Sequence, residues 1–199
     1  MKMNIPTMFT WLRILLIPVF VGAFYWPDNL HQLGLKPSHL VNVTATAIFA
    51  IAAITDWLDG YLARKLNQTS AFGAFLDPVA DKLMVAAALI VLIKFNRVGE
   101  IVSLIIIGRE IAISALREWM AGQGQGSSVG VATIGKIKTT AQMLAILLLL
   151  YWDNIDLGEL GVFPTKVVGN VLILVAAFLT LLSMASVSYT HLDVYKRQA

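Results

Sequence analysis

The chain has no cysteine, which excludes a disulfide framework, a thiolate metal site and a thiol nucleophile at once, while leaving the compartment undecided. Charge is scarce too. Asp, Glu, Lys and Arg make up 14% of the 199 residues, against about a quarter in an ordinary soluble domain. Histidine occurs three times, so a bound metal has to rely chiefly on oxygen. No block of positive charge exists: the formal net charge of +3 is spread over loops, which argues against nucleic acid and favours anionic lipid headgroups or phosphorylated substrates. Internal repeats are missing, and "GQGQGSSVG" is the only low-complexity stretch. A signal-peptide cleavage site is missing as well. Lys2 and the apolar run Ile14 to Trp26 have the outline of a leader, but no small-x-small motif follows and Arg13 opens the run. It reads as a retained first membrane segment.

What is abundant is apolar surface, with 58% hydrophobic residues and a mean hydropathy of +0.75. Apolar runs fall at Phe9 to Trp26, Leu40 to Thr55, Leu83 to Phe95, Ile101 to Met120, Ile137 to Trp152 and Val167 to Val187. A spanning helix needs about 20 residues, so the second and third runs are too short unless the polar stretch between them supplies their ends. The expected fold is all-α: a polytopic bundle of six transmembrane helices. Lys2, Arg64, Lys65, Arg117, Lys136 and Lys138 flank one side; Lys36, Lys94, Arg97 and Lys166 flank the other beside Asp153, Asp156 and Glu159. This bias places both termini and the loop after Lys65 in the cytoplasm. Trp11, Trp26, Trp57, Trp119 and Trp152 mostly mark span ends, as in an interfacial aromatic belt. His31 and His39 read as exposed loop residues rather than ligands, and Pro18 is expected to kink the first span.

Against that background, "TDWLDGYLARKLNQTSAFGAFLDPVADK", Thr55 to Lys82, holds four of the twelve acidic residues. One helix is expected to end near Lys65 and the next to begin near Ser70, with Thr69 or Ser70 as cap. Asp56 and Asp59 are i,i+3, and Asp77 and Asp81 are i,i+4, so each pair shares a helix face. Gly60, Ala63 and Gly73 keep those faces small, so a bulky ligand can approach the backbone. A carboxylate at mid-bilayer costs roughly 2.5 to 3.5 kcal/mol on insertion scales, so the four are expected to face a polar cavity. Crowded there they repel one another unless cations neutralise them. Oxygen-only ligands favour a hard cation, Mg2+ or Mn2+, and four can hold two ions, an arrangement suited to phosphoryl displacement. The plainer alternative is helix caps, interfacial polar groups, or partners of Arg64, Lys65 and Lys82. Pro78 either splays its helix so that the two Asp pairs converge, or is an ordinary early-helix proline.

The spacing D-x2-D-G-x2-A-R-x8-G-x3-D-x3-D, met by Asp56, Asp59, Gly60, Ala63, Arg64, Gly73, Asp77 and Asp81, resembles the signature of the CDP-alcohol phosphatidyltransferase family. "NIPTMFTWLRILLIP", with Asn4, Pro6, Thr10 and Arg13, and the later "GREIAISALREWMA" and "GKIKTTAQM" look like bacterial members of it. The resemblance runs from about residue 3 to residue 186. It implies six transmembrane helices, a homodimer, and a cytosol-facing polar cavity that binds two divalent cations and the CDP moiety. It also implies Asp56, Asp59 and Asp77 as metal ligands, and Asp81 as a general base that also touches metal. Gly60, Ala63, Arg64 and Gly73 would line the nucleotide and pyrophosphate pocket together with Asp56 and Asp59.

Arg109, Glu110, Arg117 and Glu118 lie in the fourth span, and intramembrane ionisable residues are functional candidates by default. With Lys136 and Lys138, Arg109 and Arg117 form a candidate site for an acceptor's phosphate; the alternative is a structural Arg/Glu network with interfacial lysines. The resemblance implies the expected reaction: phosphatidyl transfer from CDP-diacylglycerol to glycerol 3-phosphate at a bacterial inner membrane, giving phosphatidylglycerophosphate and CMP. Rival readings are another acceptor (serine, inositol phosphate or phosphatidylglycerol), a cation- or proton-coupled transporter, and an aspartate-rich prenyltransferase, whose spacings lack the glycine and Ala-Arg elements. Residues 1–186 are expected to form one membrane domain. The last residues, "VSYTHLDVYKRQ", back-translate into an almost perfect inverted repeat resembling a transposon end used in sequencing libraries, so 187–199 is expected to be non-native, and His191, Asp193, Lys196 and Arg197 receive no role.

Overall fold

Backbone polar groups have no water to bond within a bilayer, so an apolar run has to satisfy them internally as helix. All six runs do so. The computed structural model describes residues 5–25, 39–66, 71–122, 133–156, 158 and 161–198. Among them are α1 (Ile5–Tyr25), α2 (His39–Leu66), α3 (Ala71–Lys94), α4 (Glu100–Gly122), α5 (Thr133–Tyr151) and α6 (Thr165–Gln198). Between α5 and α6, β1 (Ile155–Asp156) and β2 (Val162–Phe163) pair antiparallel, Ile155 opposite Phe163, where the sequence suggests only an acidic loop. The break between α2 and α3 falls within a residue of the expected ends; its expected cap, Thr69 or Ser70, lies outside the described residues, as do Asn4, Trp26 and His31. Helix continues through Pro18 in α1 and Pro78 in α3, and α6 runs on to Gln198.

Among the described residues, three stretches are long and apolar enough to cross a membrane: Met8–Tyr25, His39–Leu58 and Thr165–Met184; Ile137–Tyr151 is a shorter apolar stretch. Ionisable residues lie both in the helices of this set, with Arg13 in α1 and Asp56, Asp59, Arg64 and Lys65 in α2, and in helices outside it. α3 contains Asp77, Asp81, Lys82 and Lys94, and α4 contains Glu100, Arg109, Glu110, Arg117 and Glu118.

The helices alternate in direction, as side-chain contacts at both ends demonstrate. At one end the start of α1 meets the late part of α2 and the early part of α3 through Arg13, Asp56 and Asp81. At the other, Lys94 at the end of α3 donates to the Tyr25 hydroxyl at the end of α1, 2.8 Å. The interior mixes small residues, Ala45, Ala52, Ala80, Ala88, Ala145 and Ala176, with large ones such as Phe20, Phe49, Leu89 and Ile146, whereas Leu15, Ile54, Ile90, Leu104 and Phe178 face outward. The buried alanines allow the close backbone approach that helix packing in lipid relies on. Gly169 shows it most sharply, because a Cβ there would lie 2.8 Å from Leu149 Cγ across the α5–α6 contact.

Arg97, between α3 and α4, joins the end of the bundle remote from the aspartates. It is buried, and donates to the carbonyls of Leu149 (3.1 Å) and Leu150 (2.8 Å) and to Asn42 Oδ1 (2.7 Å). Those carbonyls belong to the last turn of α5, where no intrahelical donor remains, and the guanidinium also lies 4.9 Å over the Trp152 ring. Burial lowers its pKa to about 10, against the raising effect of Asp153, so it stays charged at neutral pH. Asp153 in turn accepts from His39 (2.8 Å) and Asn42 (3.4 Å); burial pushes its carboxyl up, but these bonds and the charges of His39 and Lys166 more than offset that and hold it below the usual range. His39, read from sequence as a loop residue, is the exposed first residue of α2. Arg97→Lys keeps the charge but loses the planar fork, and is expected to cost about 2 kcal/mol. Thermal unfolding in detergent should fall by roughly 5 °C, with substrate affinity unchanged.

Candidate active site

Thr10 and Arg13 are three residues apart on α1 and so share a face; both are buried. Thr10 donates from its hydroxyl to Asp77 on α3. The Arg13 guanidinium divides between two helices, Nη1 donating to Asp81 on α3 and Nη2 lying 2.9 Å from Asp56 on α2. The first helix thus gathers three of the four signature aspartates from the two helices that carry them. A small cavity of about 20 Å³ adjoins them, bordered by Arg13, Asp56, Asp81, Ala52, Met84 and Met143.

Asp59, Gly60, Ala63 and Arg64 continue α2, and Gly73 lies in α3; beyond that helical backbone they lie outside the described residues. The donor chemistry of the gathered aspartates, carboxylate oxygen alone, fits a hard divalent cation. Among the described residues, no three acidic or imidazole groups yet converge as a complete ligand set.

A second polar group joins α4, α5 and α6. Lys138, 1% exposed, pairs with Glu110. Arg109 reaches the same carboxylate at 3.3 Å and Ser183 Oγ at 3.2 Å. Gln142, one turn beyond Lys138, is buried, and its Oε1 and the Arg109 Nε have no hydrogen-bond partner. Buried polar atoms left unbonded mark where a ligand or water is expected. Arg109 and Lys138 are therefore brought together through Glu110, while the side chains of Arg117 and Lys136 lie outside those described. These contacts form an Arg/Glu/Lys network that includes two of the four residues expected from sequence to meet an acceptor's phosphate.

Arg13 and Thr10 were legible only as part of the family-like N-terminal segment, with no role attached, and the sequence suggested Arg64, Lys65 and Lys82 as partners for the aspartates. The available signal was the default that an arginine inside a membrane segment has a polar partner.

These features define a helical membrane protein that gathers carboxylates at one end of its bundle. The chain belongs to the CDP-alcohol phosphatidyltransferase family, whose model matches residues 3–189, the same family that the aspartate spacing resembles, and it is accordingly a transferase. It is 47% identical over 186 residues to the CDP-diacylglycerol--glycerol-3-phosphate 3-phosphatidyltransferase of Shigella flexneri serotype 5b (strain 8401), covering 92% of each chain. It is 46% identical over 186 residues, again 92% of each, to the protein of that name from Escherichia coli (strain K12).

Proposed function

We propose that this enzyme transfers the phosphatidyl group of CDP-diacylglycerol to glycerol 3-phosphate, releasing phosphatidylglycerophosphate and CMP in phospholipid synthesis. The observation that carries the reading is the gathering of Asp56, Asp77 and Asp81 from two helices onto the Thr10–Arg13 face of a third. The names of the bacterial relatives support the choice of acceptor.

Asp81 takes the proton of the acceptor hydroxyl. The freed oxygen attacks the phosphorus attached to diacylglycerol, and the bond to the bridging oxygen breaks with its electron pair leaving on CMP. Asp56, Asp59, Asp77 and Asp81 would hold two divalent cations, Mg2+ or Mn2+, which supply charge neutralisation for the pyrophosphate and the departing CMP. Gly60, Ala63 and Gly73 leave room for the nucleotide beside Asp56 and Asp59, and Arg64 pairs with its phosphate. Arg109, Lys136, Arg117 and Lys138 hold the acceptor's phosphate, Arg109 and Lys138 being already oriented by Glu110. In this reading all six helices cross the bacterial inner membrane, the site opens to the cytosol, membrane lipids surround a homodimer, and residues 187–199 lie outside the working domain.

The test is CMP release from CDP-diacylglycerol by the purified protein with Mg2+ or Mn2+ and a panel of acceptors. Metal-dependent release with glycerol 3-phosphate is expected. Release with serine but not glycerol 3-phosphate would replace the acceptor; no metal-dependent release with any acceptor would remove the reaction.

A further inference from the structure

Arg13 is 1% exposed, while the carboxylates it pairs with, Asp56 and Asp81, are 44% and 37% exposed. The guanidinium thus lies beneath two carboxylates that solvent reaches from the other side. Its Nη1 donates to Asp81, but its hold on Asp56 is one of charge more than of aligned bonding. Nη2 approaches Asp56 to 2.9 Å without hydrogen-bond geometry, and Nε is buried with no hydrogen-bond partner. A contact of that kind can be exchanged for another cation.

We infer that Arg13 is a resident counter-cation of the carboxylate site: it holds Asp56 and Asp81 together in the metal-free enzyme and competes with an incoming divalent ion for them. The inference rests on the reading of these aspartates as metal ligands. It makes Arg13 a positioning residue on α1. Carboxylates gathered at one point repel one another; the positive guanidinium between Asp56 and Asp81 offsets that repulsion and holds them close. The same charge opposes a second cation at the same oxygens, so ion entry has to shift Arg13 away from at least one carboxylate. The arrangement would couple ion binding to α1, through Arg13 to Asp56 and Asp81 and through Thr10 to Asp77.

Thermal unfolding of the detergent-solubilised full chain, without substrates, over a series of Mn2+ concentrations tests this. For Arg13→Gln the unfolding temperature without metal should fall, while the Mn2+ concentration giving half of the metal-induced rise should drop about tenfold below that of the unsubstituted protein. Arg13→Lys keeps the charge without the two-pronged reach, and should shift the midpoint less in the same direction; it decides the matter if Arg13→Gln does not fold. A purely structural Arg13 would lower the unfolding temperature equally with and without Mn2+ and leave the midpoint where it was, which overturns the inference, as does a raised midpoint. If the unsubstituted protein shows no Mn2+-dependent rise at all, the metal-site reading fails first and the inference with it.

Discussion

Asp81→Asn is expected to lower turnover by about a hundred- to ten-thousandfold, the range that a positioned general base supplies, while largely sparing metal-dependent binding of CDP-diacylglycerol. The two outcomes separate because the proposed roles differ. As a base, Asp81 is needed when the acceptor hydroxyl loses its proton; as a ligand, Asp56 is needed before the nucleotide binds at all. Asparagine preserves the shape of the side chain and can still accept from Arg13 Nη1, the contact Asp81 makes in the structure, so the junction of α1 with α3 should persist. Asp56→Asn should instead weaken both metal and CDP-lipid binding. The measurement is binding of CDP-diacylglycerol with and without Mn2+, set beside CMP release. Equal loss of binding in the two variants would contradict a base role for Asp81 and leave it a ligand like the others.

The pairing of the aspartates was legible because it resides in local spacing, whereas their separate roles are implied by the family resemblance alone. Asp56 with Asp59, and Asp77 with Asp81, are fixed on their faces by helical geometry alone, and the break between Leu66 and Ala71 follows from polar and turn-forming residues between two apolar runs. What spacing does not contain is how helices cross. Arg13 and Asp81 are 68 residues apart, and Lys138 and Glu110 are 28 apart; their pairing depends on which faces α1, α3, α4 and α5 turn inward. In a chain whose interior and exterior are both apolar, the hydrophobic pattern that normally orients a helix is weak. Arg97 illustrates the same limit. Sequence assigns it to the side of the membrane by charge counting, whereas its buried bonds to the end of α5 and to Asn42 become visible only once those helices are side by side.

The Lys138–Glu110 pair is where stability and function have to be pulled apart, and a two-step substitution is expected to do it. Lys138→Met removes a cation that is 1% exposed and leaves Glu110 with Arg109 at 3.3 Å as its remaining charged partner. Breaking one side of a buried pair costs about 3 to 5 kcal/mol; with Arg109 still in reach the lower figure is expected, a fall of roughly 10 °C in thermal unfolding. Adding Glu110→Gln removes the stranded charge, and the double variant should regain most of that loss, because a buried pair replaced by groups of similar volume is often neutral in stability. Activity should not return with it. A phosphate that has lost one charge-assisted contact binds more weakly by about 1.5 to 3 kcal/mol, so the KM for glycerol 3-phosphate should stay about ten- to a hundredfold high in both variants while the KM for CDP-diacylglycerol is little changed. The recovered fold makes the readout interpretable: a double variant as active as the unsubstituted enzyme would reduce Lys138 to a partner for Glu110, whereas a stable protein with a selective defect toward the phosphorylated acceptor would assign Lys138 to the substrate.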